Sequence, residues 1–207
     1  MMAALIIWLT ALLLYFIFWM WYVGFRKPLS KDEIEYYLNK LKELNNIPDA
    51  RLVNIRQFLE NDTGKSFVMV NSLVLKQTPD MVEGVSDGDS SRTVLMKYAK
   101  PFMKMMLKRG GLPIFQGKVA GKSFDVINIE GADKWEVSAI NRFRSRRDMM
   151  EIITNQRFHD THPLKLAALE KSIAYPVDPW FQLGGFVSTV ALVLALCAAL
   201  SHILLML

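Results

Sequence analysis

The chain has 207 residues, a formal net charge of +5 at neutral pH and 52% apolar residues. This length fits one ordinary domain with accessory segments, and the apolar fraction exceeds the usual range for a soluble protein. The single cysteine excludes an intrachain disulfide. The apolar excess lies at the two ends, because residues 1–25 carry no charged side chain and residues 180–207 carry only two ionisable ones, Cys197 and His202.

The first apolar segment, residues 1–25, is long enough to cross a membrane, since about 20 helical residues span the hydrocarbon core. A cleaved signal peptide is the alternative. The segment lacks a basic n-region, its apolar part is too long, and no small-x-small site precedes the stretch "FRKPLSKDE". We therefore predict a transmembrane helix, with Trp19, Trp21 and Tyr22 at the membrane interface.

The residues that flank this segment predict its orientation. Arg26 and Lys27 follow it directly, and only the α-amino group precedes it. Because basic residues favour the cytoplasmic side, we predict a cytoplasmic central domain, with both termini outside the inner (plasma) membrane. Trp180 and Phe181 would complete an aromatic belt at the same interface.

Residues 26–62 are predicted to form an amphipathic helical linker. Ser30 and Glu33 have the spacing of a capping box at the start of a helix. The apolar residues that follow recur on one helical face: Ile34, Leu38, Leu41 and Leu44. A second short helix is predicted over residues 49–61.

Residues 63–179 show the element order of an α+β domain. An apolar strand, "FVMVNSLVLK" at 67–76, precedes a helical pattern at 92–111, which Pro101 kinks or restarts and two glycines end. Further strands are predicted at 112–121, 135–143 and 173–177, with helical periodicity over 145–172. The succession βαββαβ is typical of a ferredoxin-like sandwich.

Four stretches of this domain carry a resemblance: "FVMVNSLVLK", "KYAKPFMKMMLKRGGLPIFQGKV", "WEVSAINRFRSRRDMMEII" and "HPLKLAALEKSIAYPV". In this order they resemble uncharacterised bacterial families of the dimeric α/β-barrel superfamily, over about residues 50–177. Two departures are Ser72, where those families usually have Leu, and Arg144, where they have Pro.

The resemblance implies a homodimer that pairs sheet to sheet and has an apolar interior able to hold a small ligand. The wider superfamily includes monooxygenases, haem-degrading enzymes and haem peroxidases, so the fold does not determine the function.

One amide interrupts the apolar strand. Asn71 shares a strand face with Met69 and Leu73, and Asn141 lies on a later strand that neighbours the first in a ferredoxin-like sheet. The two amides either line a ligand pocket or are satisfied core amides, and we favour the second interpretation. A pocket would also include Arg142 and His162, the latter matching the late histidine of the resembling families.

The sequence predicts no metal site. His159 and His162 could ligate a metal from one helical face, but Pro163 disturbs that helix and no cysteine is available in the soluble part. Four methionines could suggest copper, although methionine more often fills core gaps: Met96, Met103, Met105 and Met106. We predict no cofactor. The resemblance leaves haem as the one cofactor that the domain could hold.

Basic residues cluster in "NRFRSRR", which contains Arg142, Arg144, Arg146 and Arg147. They could attract an anionic leaflet. The alternative, which we favour, is a solvated turn with Asp148 and Glu151 as partners. No aromatic-interleaved basic motif accompanies them, so we predict no nucleic-acid partner.

The second apolar segment, residues 180–207, is predicted to be another transmembrane helix, since a buried core helix rarely runs this long without a polar face. Small residues recur along it at helical spacing: Gly184, Ser188, Ala191, Ala195 and Ala199. They favour close packing against another helix, from this chain or another membrane protein, although alanine is also simply common in membrane helices.

The sequence thus predicts a dimeric α/β-barrel domain between two membrane spans, acting as an accessory or scaffolding protein. The alternative is a membrane-tethered enzyme of monooxygenase or haem-handling type, acting on an apolar substrate with Asn71, Asn141, Arg142 and His162 in its pocket.

Overall fold

The computed structural model describes residues 2–44, 48–182 and 184–207. The chain divides into two units, one made of Met1–Arg26 with Pro179–Leu207 and the other of Lys27–Asp178. The described residues form, in chain order, α1 (Met2–Tyr22), α2 (Lys31–Leu44), α3 (Asp49–Glu60), β1 (Phe67–Leu75), α4 (Ser91–Lys108), β2 (Leu112–Lys118), β3 (Val137–Phe143), α5 (Arg146–Ile153), α6 (Gln156–Ala168), β4 (Leu169–Val177) and α7 (Phe186–Met206).

The two chain ends form a pair of apolar helices. Both α1 and α7 have 21 residues and are long and apolar enough to cross a membrane. They contact each other through aromatic rings, with the centroids of Phe18 and Phe186 5.4 Å apart. Trp8 Nε1 also donates a hydrogen bond to His202 Nδ1 at 3.3 Å. The prediction of two long apolar helices is confirmed, and each could serve as a membrane span.

The central unit is built on a four-stranded antiparallel sheet in the order β2-β3-β1-β4. In the central unit, two helices are followed by the predicted order βαββαβ. The second helix of that order consists of two consecutive helices, α5 and α6. β1 lies in the middle and pairs with β3 on one side and β4 on the other. This mixed α+β architecture agrees with the predicted class.

Helices and sheet share one hydrophobic core on one face of the sheet. Phe67 of β1 is fully buried and stacks on Phe143 of β3, with ring centroids 5.3 Å apart. Helices α2 and α3, from the predicted linker segment, contribute to the same core through Ile34, Leu38, Leu41, Leu52 and Leu59. Helices α4, α5 and α6 complete it, with Val94, Met106, Met150 and Phe158 among their buried side chains.

Local sequence explains where several helices begin. The predicted capping box is present before α2: the Glu33 amide donates to Ser30 Oγ at 3.2 Å, and the Ser30 amide donates to Glu33 Oε2 at 2.9 Å. Ser145 caps α5 by accepting the Asp148 amide at 3.0 Å. Each of these bonds satisfies a backbone N–H that the helix itself leaves unpaired.

The structure corrects the expected elements at three points. α4 is one helix from Ser91 to Lys108, so Pro101 does not restart it. The predicted helix over 145–172 is two helices, and its last residues belong to β4, which begins at Leu169. Leu169 pairs with Leu75 and Ser172 with Leu73. Pairing with β1 therefore outweighs the local helical periodicity there, as tertiary context often does.

Candidate functional site

The two asparagines lie on neighbouring strands but not opposite each other. Asn71 pairs with Ala139, and Asn141 pairs with Met69, so the amides are offset by two residues on the helix-covered face. Asn71 Nδ2 donates a hydrogen bond to its own strand, at Met69 O, 3.1 Å away. Asn141 Oδ1 is buried and accepts no hydrogen bond from a described residue.

The other two predicted pocket residues lie elsewhere. Arg142 pairs with Val68 and follows Asn141 directly, so the alternation of side chains along β3 places it on the opposite face of the sheet. His162 lies on α6, with its ring centroid 5.2 Å from Phe158 and 6.2 Å from Tyr98. Two shallow depressions in the described part of the chain are lined by other residues, one along α1 and one at the start of α4.

The basic turn is largely occupied by internal ion pairs. Arg144 Nη2 lies 2.7 Å from Asp148 Oδ1, as the solvated-turn interpretation predicts. Arg147 instead binds Glu33 of α2 through two hydrogen bonds of 2.8 and 3.1 Å. The bond from Arg147, with the Ser30 amide, lowers the pKa of the Glu33 carboxyl to about 2.

Arg146 is the most buried of these cations, with 4% of its surface exposed. Its guanidinium donates to the Phe58 carbonyl of α3 and, at 3.0 Å, to Asp178 Oδ2. Asp62 lies 3.7 Å away and also accepts the Leu29 and Gly64 amides at 2.9 and 3.0 Å. The arginines therefore join α2, α3 and the end of β4 to the turn. Glu151 contacts Tyr37 and Arg109 rather than the cluster.

The face of the sheet opposite the helices, here called the open face, carries an apolar row that crosses all four strands. Phe115 pairs with Ile140, Ile140 with Val70, and Val70 with Tyr175. Phe115 is 51% exposed and Tyr175 46%, as is their neighbour Ile173. β1 carries apolar side chains on both of its faces, and the helices of the described residues cover one of these faces.

A long connection between β2 and β3, residues 119–136, adjoins the open face. Lys171 of β4 donates to the Gly131 carbonyl and lies 5.0 Å above the Trp135 ring. Three apolar side chains of this connection are exposed, Phe124, Ile127 and Ile129. The sheet and the connection thus both carry exposed apolar side chains.

The residues predicted for the membrane interface have different environments. Tyr22 is buried, and its ring lies 5.0 Å from Phe186. Arg26 donates to the Trp21 carbonyl at 2.6 Å, whereas Trp180 is fully exposed. Lys27 belongs to the central unit, where its carbonyl accepts from Arg147 at 3.5 Å. Trp19 packs edge-on against Phe25, with centroids 6.0 Å apart.

The small residues of α7 do not all face α1. Ala198 is the buried residue of this helix, at 4% exposure, whereas Ser188 and Ala195 are exposed. Gly184 precedes the helix and is exposed, while Ala191 and Ala199 are partly buried. The predicted small-residue face therefore includes positions that α1 leaves uncovered.

Metal ligation finds no support among the described residues, in which no group of three His, Cys, Asp or Glu side chains converges. His159 and His162 are both on α6, which runs through Pro163 unbroken. Burial lowers the pKa of His162 to about 4, with the positive charges of Lys165, His159 and Arg51 adding to the effect. His162 is therefore neutral at pH 7.

No protein-family model and no curated protein matches the chain. Among solved structures, RPA0582 of Rhodopseudomonas palustris, a protein of unknown function, is similar with a TM-score of 0.52 and 18% identity, over 66% of this chain and 97% of that one. Methylated RPA0582 has the same TM-score and identity, over 68% and 96%. At3g17210 of Arabidopsis thaliana has a TM-score of 0.35 and 17% identity, over 56% and 97%. The likeness to RPA0582 shows a similar fold and gives no information about activity.

Proposed function

We propose that this chain is a membrane-anchored accessory or scaffolding protein whose central unit pairs with a second copy through the open face of its sheet. The observation that carries the proposal is the apolar row from Phe115 to Tyr175, which crosses four strands and remains half exposed at both ends. Apolar side chains that adjoin one another on a surface are typical of an interface.

The strand order supports the same proposal. The order β2-β3-β1-β4, with helices on one face, is what a ferredoxin-like split-βαβ sandwich requires. The superfamily that the sequence resembles pairs such sheets face to face. The exposed side chains of the 119–136 connection, among them Phe124 and Ile127, would extend the interface around the edge of the partner's sheet.

Anchoring is proposed from α1 and α7, which are both long and apolar enough to span a bilayer. The adjacent Arg26 and Lys27 support a cytoplasmic position for the central unit in the inner (plasma) membrane, with both ends of the chain outside. Exposed Ser188 and Ala195 of α7 would allow close approach by a helix of another integral membrane protein.

The dimer is tested on the full chain in mild detergent, by light scattering coupled to size-exclusion chromatography. Tyr175→Glu puts a carboxylate into the proposed interface. An unpaired buried charge costs about 3 kcal/mol or more, so dimerisation should weaken by roughly 100-fold. The matched control is Leu166→Glu on α6, a 60% exposed apolar side chain outside the open face.

The expected result is a dimer for the wild type and for Leu166→Glu, and a monomer with unchanged circular dichroism for Tyr175→Glu. A wild type that is monomeric at all concentrations contradicts the proposal. So does a Tyr175→Glu variant that dimerises as strongly as the wild type, since the contact would then lie elsewhere, for example between membrane helices.

Anchoring and orientation are tested with reporter fusions at the C-terminus. Alkaline phosphatase fused there should be active, because this enzyme folds only outside the cytoplasm. Green fluorescent protein fused at the same place should be dark. The protein should also stay in the membrane fraction at alkaline pH. The reverse reporter pattern would contradict the orientation, and release at alkaline pH would contradict the anchoring.

A further inference from the structure

One side of α6 places basic groups against the aromatic side chains of α4. Phe158, His162 and Lys165 follow each other at spacings of four and three, so they share a helical face. Opposite them, Tyr98 lies 6.1 Å from Phe158 and 6.2 Å from His162 between ring centroids. Lys165 Nζ lies 5.8 Å from the centre of the Tyr98 ring.

Tyr98 has an unusual environment for a phenol. The residue is 9% exposed, and its hydroxyl makes no hydrogen bond to any residue in the described ranges, although the hydroxyl oxygen itself is not fully buried. Burial raises the pKa of this hydroxyl, so it carries its proton at neutral pH and is available as a donor. A hydroxyl that reaches the surface without a protein partner is free to donate to a bound acceptor.

The cation beside Tyr98, Lys165, has no acidic partner among the described residues. Lys165 forms no ion pair with a described residue, and the charged group that acts on it most is Arg51 of α3. Burial lowers the pKa of Lys165, and the charge of Arg51 adds to that effect. For His162 the acting charges are those of Lys165, His159 and Arg51, again without a carboxylate. Elsewhere in the unit, buried cations such as Arg146 have acidic partners within 4 Å.

We infer that Tyr98, His162 and Lys165 form a site for the phosphate group of a ligand. The groups supply an ammonium, a phenol O–H and an imidazole N–H. A phosphate carries up to two charges and several acceptor oxygens, so it matches such a set of donors. The phosphate could belong to a small water-soluble molecule or to a lipid headgroup.

The sequence signal for this site is Lys165 itself. It occupies a position on the same face of α6 as Phe158 and His162, where a periodic pattern would place another apolar residue. Such a lysine reads equally well as a solvated side chain. The packing of α4 against α6, which brings Lys165 to the Tyr98 ring, distinguishes the two interpretations.

The test uses the full chain in phosphate-free buffer and mild detergent, with thermal unfolding as the readout. Inorganic phosphate should raise the midpoint temperature in a saturable manner, beyond sodium chloride of equal ionic strength. Lys165→Met keeps the aliphatic stem but removes the charge, so it should abolish the response. Lys104→Met, an exposed lysine on α4, is the matched control and should respond like the wild type.

Tyr98→Phe removes only the hydroxyl and should weaken the response about tenfold, the amount expected for one hydrogen bond to a charged group. This isosteric variant keeps the inference testable if Lys165→Met alters folding. Tyr175→Glu should keep the phosphate response, so failure of the proposed dimer and failure of this site are distinguishable.

Nanodiscs distinguish the two sources of phosphate. Stabilisation by inorganic phosphate in detergent identifies a soluble ligand, and stabilisation only by phosphatidic acid over phosphatidylcholine identifies a lipid headgroup. Either result, lost in Lys165→Met and kept in Lys104→Met, supports the site. The inference is overturned if neither probe stabilises the wild type, or if Lys165→Met responds as strongly as the wild type.

Discussion

The two faces of the central sheet carry similar apolar side chains, but large side chains of the open face are much more exposed than those of the helix-covered face. On the helix-covered face, Phe67 is fully buried and Phe143 is 3% exposed. On the open face, Phe115 and Tyr175 are about half exposed, although they occupy the same sheet. Apolar character in a strand therefore indicates that a face needs a partner, but it does not identify that partner. Among the described residues, helices α2 to α6 cover one side of the sheet, and we propose a second copy as the partner of the other side.

The largest loss of stability should come from removing a buried side chain from the covered face. Phe67→Ala removes a fully buried ring that contacts Phe58 and Phe143, and it should lower the free energy of unfolding by about 3–5 kcal/mol. Guanidinium unfolding of the full chain, followed by circular dichroism, measures the change. Ile173→Ala on the open face is the comparison and, measured in the monomeric Tyr175→Glu background, should cost less than about 1 kcal/mol. Equal losses would mean that the two faces are equally covered.

The next effect concerns the ion pairs that hold α3 to the covered face. Asp62→Ala removes the acceptor of the Leu29 and Gly64 amides and one carboxylate near Arg146. Because Arg146 keeps Asp178 and the Phe58 carbonyl, the expected loss is about 2–3 kcal/mol rather than the full penalty for an unpaired buried charge.

The control for Asp62→Ala is Asp178→Ala. The Asp178 side chain is 62% exposed, and solvent screening should keep its loss below about 1 kcal/mol. The same unfolding measurement applies to both variants. A larger loss for Asp178 than for Asp62 would contradict this assignment of roles.

A smaller effect separates the two asparagines on the covered face. Asn71→Leu gives up the bond to the Met69 carbonyl and should cost about 1 kcal/mol. Asn141→Leu removes an oxygen that accepts no bond from the described residues, so stability should stay within about 0.5 kcal/mol or rise. A loss at Asn141 that exceeds the loss at Asn71 would show that its amide is bonded, for example to water in a pocket.

The last effect, which appears only when the pH is changed, concerns the edge of the covered face. The folded pKa of His162 is about 4 and the reference value 6.5, so the unfolded chain binds more protons between these values. The contribution of neutral His162 is complete above pH 6.5 and is lost as the pH falls toward 4. Because solvent screens part of this effect, the contribution of His162 to the free energy of unfolding should be about 1 kcal/mol.

His162→Gln should therefore reduce the loss of thermal stability between pH 7 and pH 5. His159, whose pKa burial also lowers, stays in both proteins and contributes equally. The Glu33 carboxyl loses its charge only well below pH 4.5, outside this window. An unchanged pH profile would mean that His162 is more hydrated than its packing against Phe158 and Tyr98 indicates.

Much of the candidate sites could not be deduced from local pattern. The four predicted pocket residues are divided between two faces of the sheet and a helix, because Asn141 and Arg142 are consecutive in a strand and must point in opposite directions. The arginine turn was expected to pair with its own neighbours. Arg146 and Arg147 instead reach α3 and α2, more than 80 residues earlier in the chain. Such partners depend on which helices pack beside the turn.

The amino-acid sequence alone determined the features that depend on neighbouring residues. These are the two uninterrupted apolar helices, the capping box at Ser30 and Glu33, and the order of strands and helices, all of which follow from hydrophobic periodicity and local hydrogen bonds. The tertiary structure decided which sheet face is covered, where β4 begins, and that Lys165 meets Tyr98. Those outcomes result from contacts between residues far apart in the chain, whose free energies outweigh local preference.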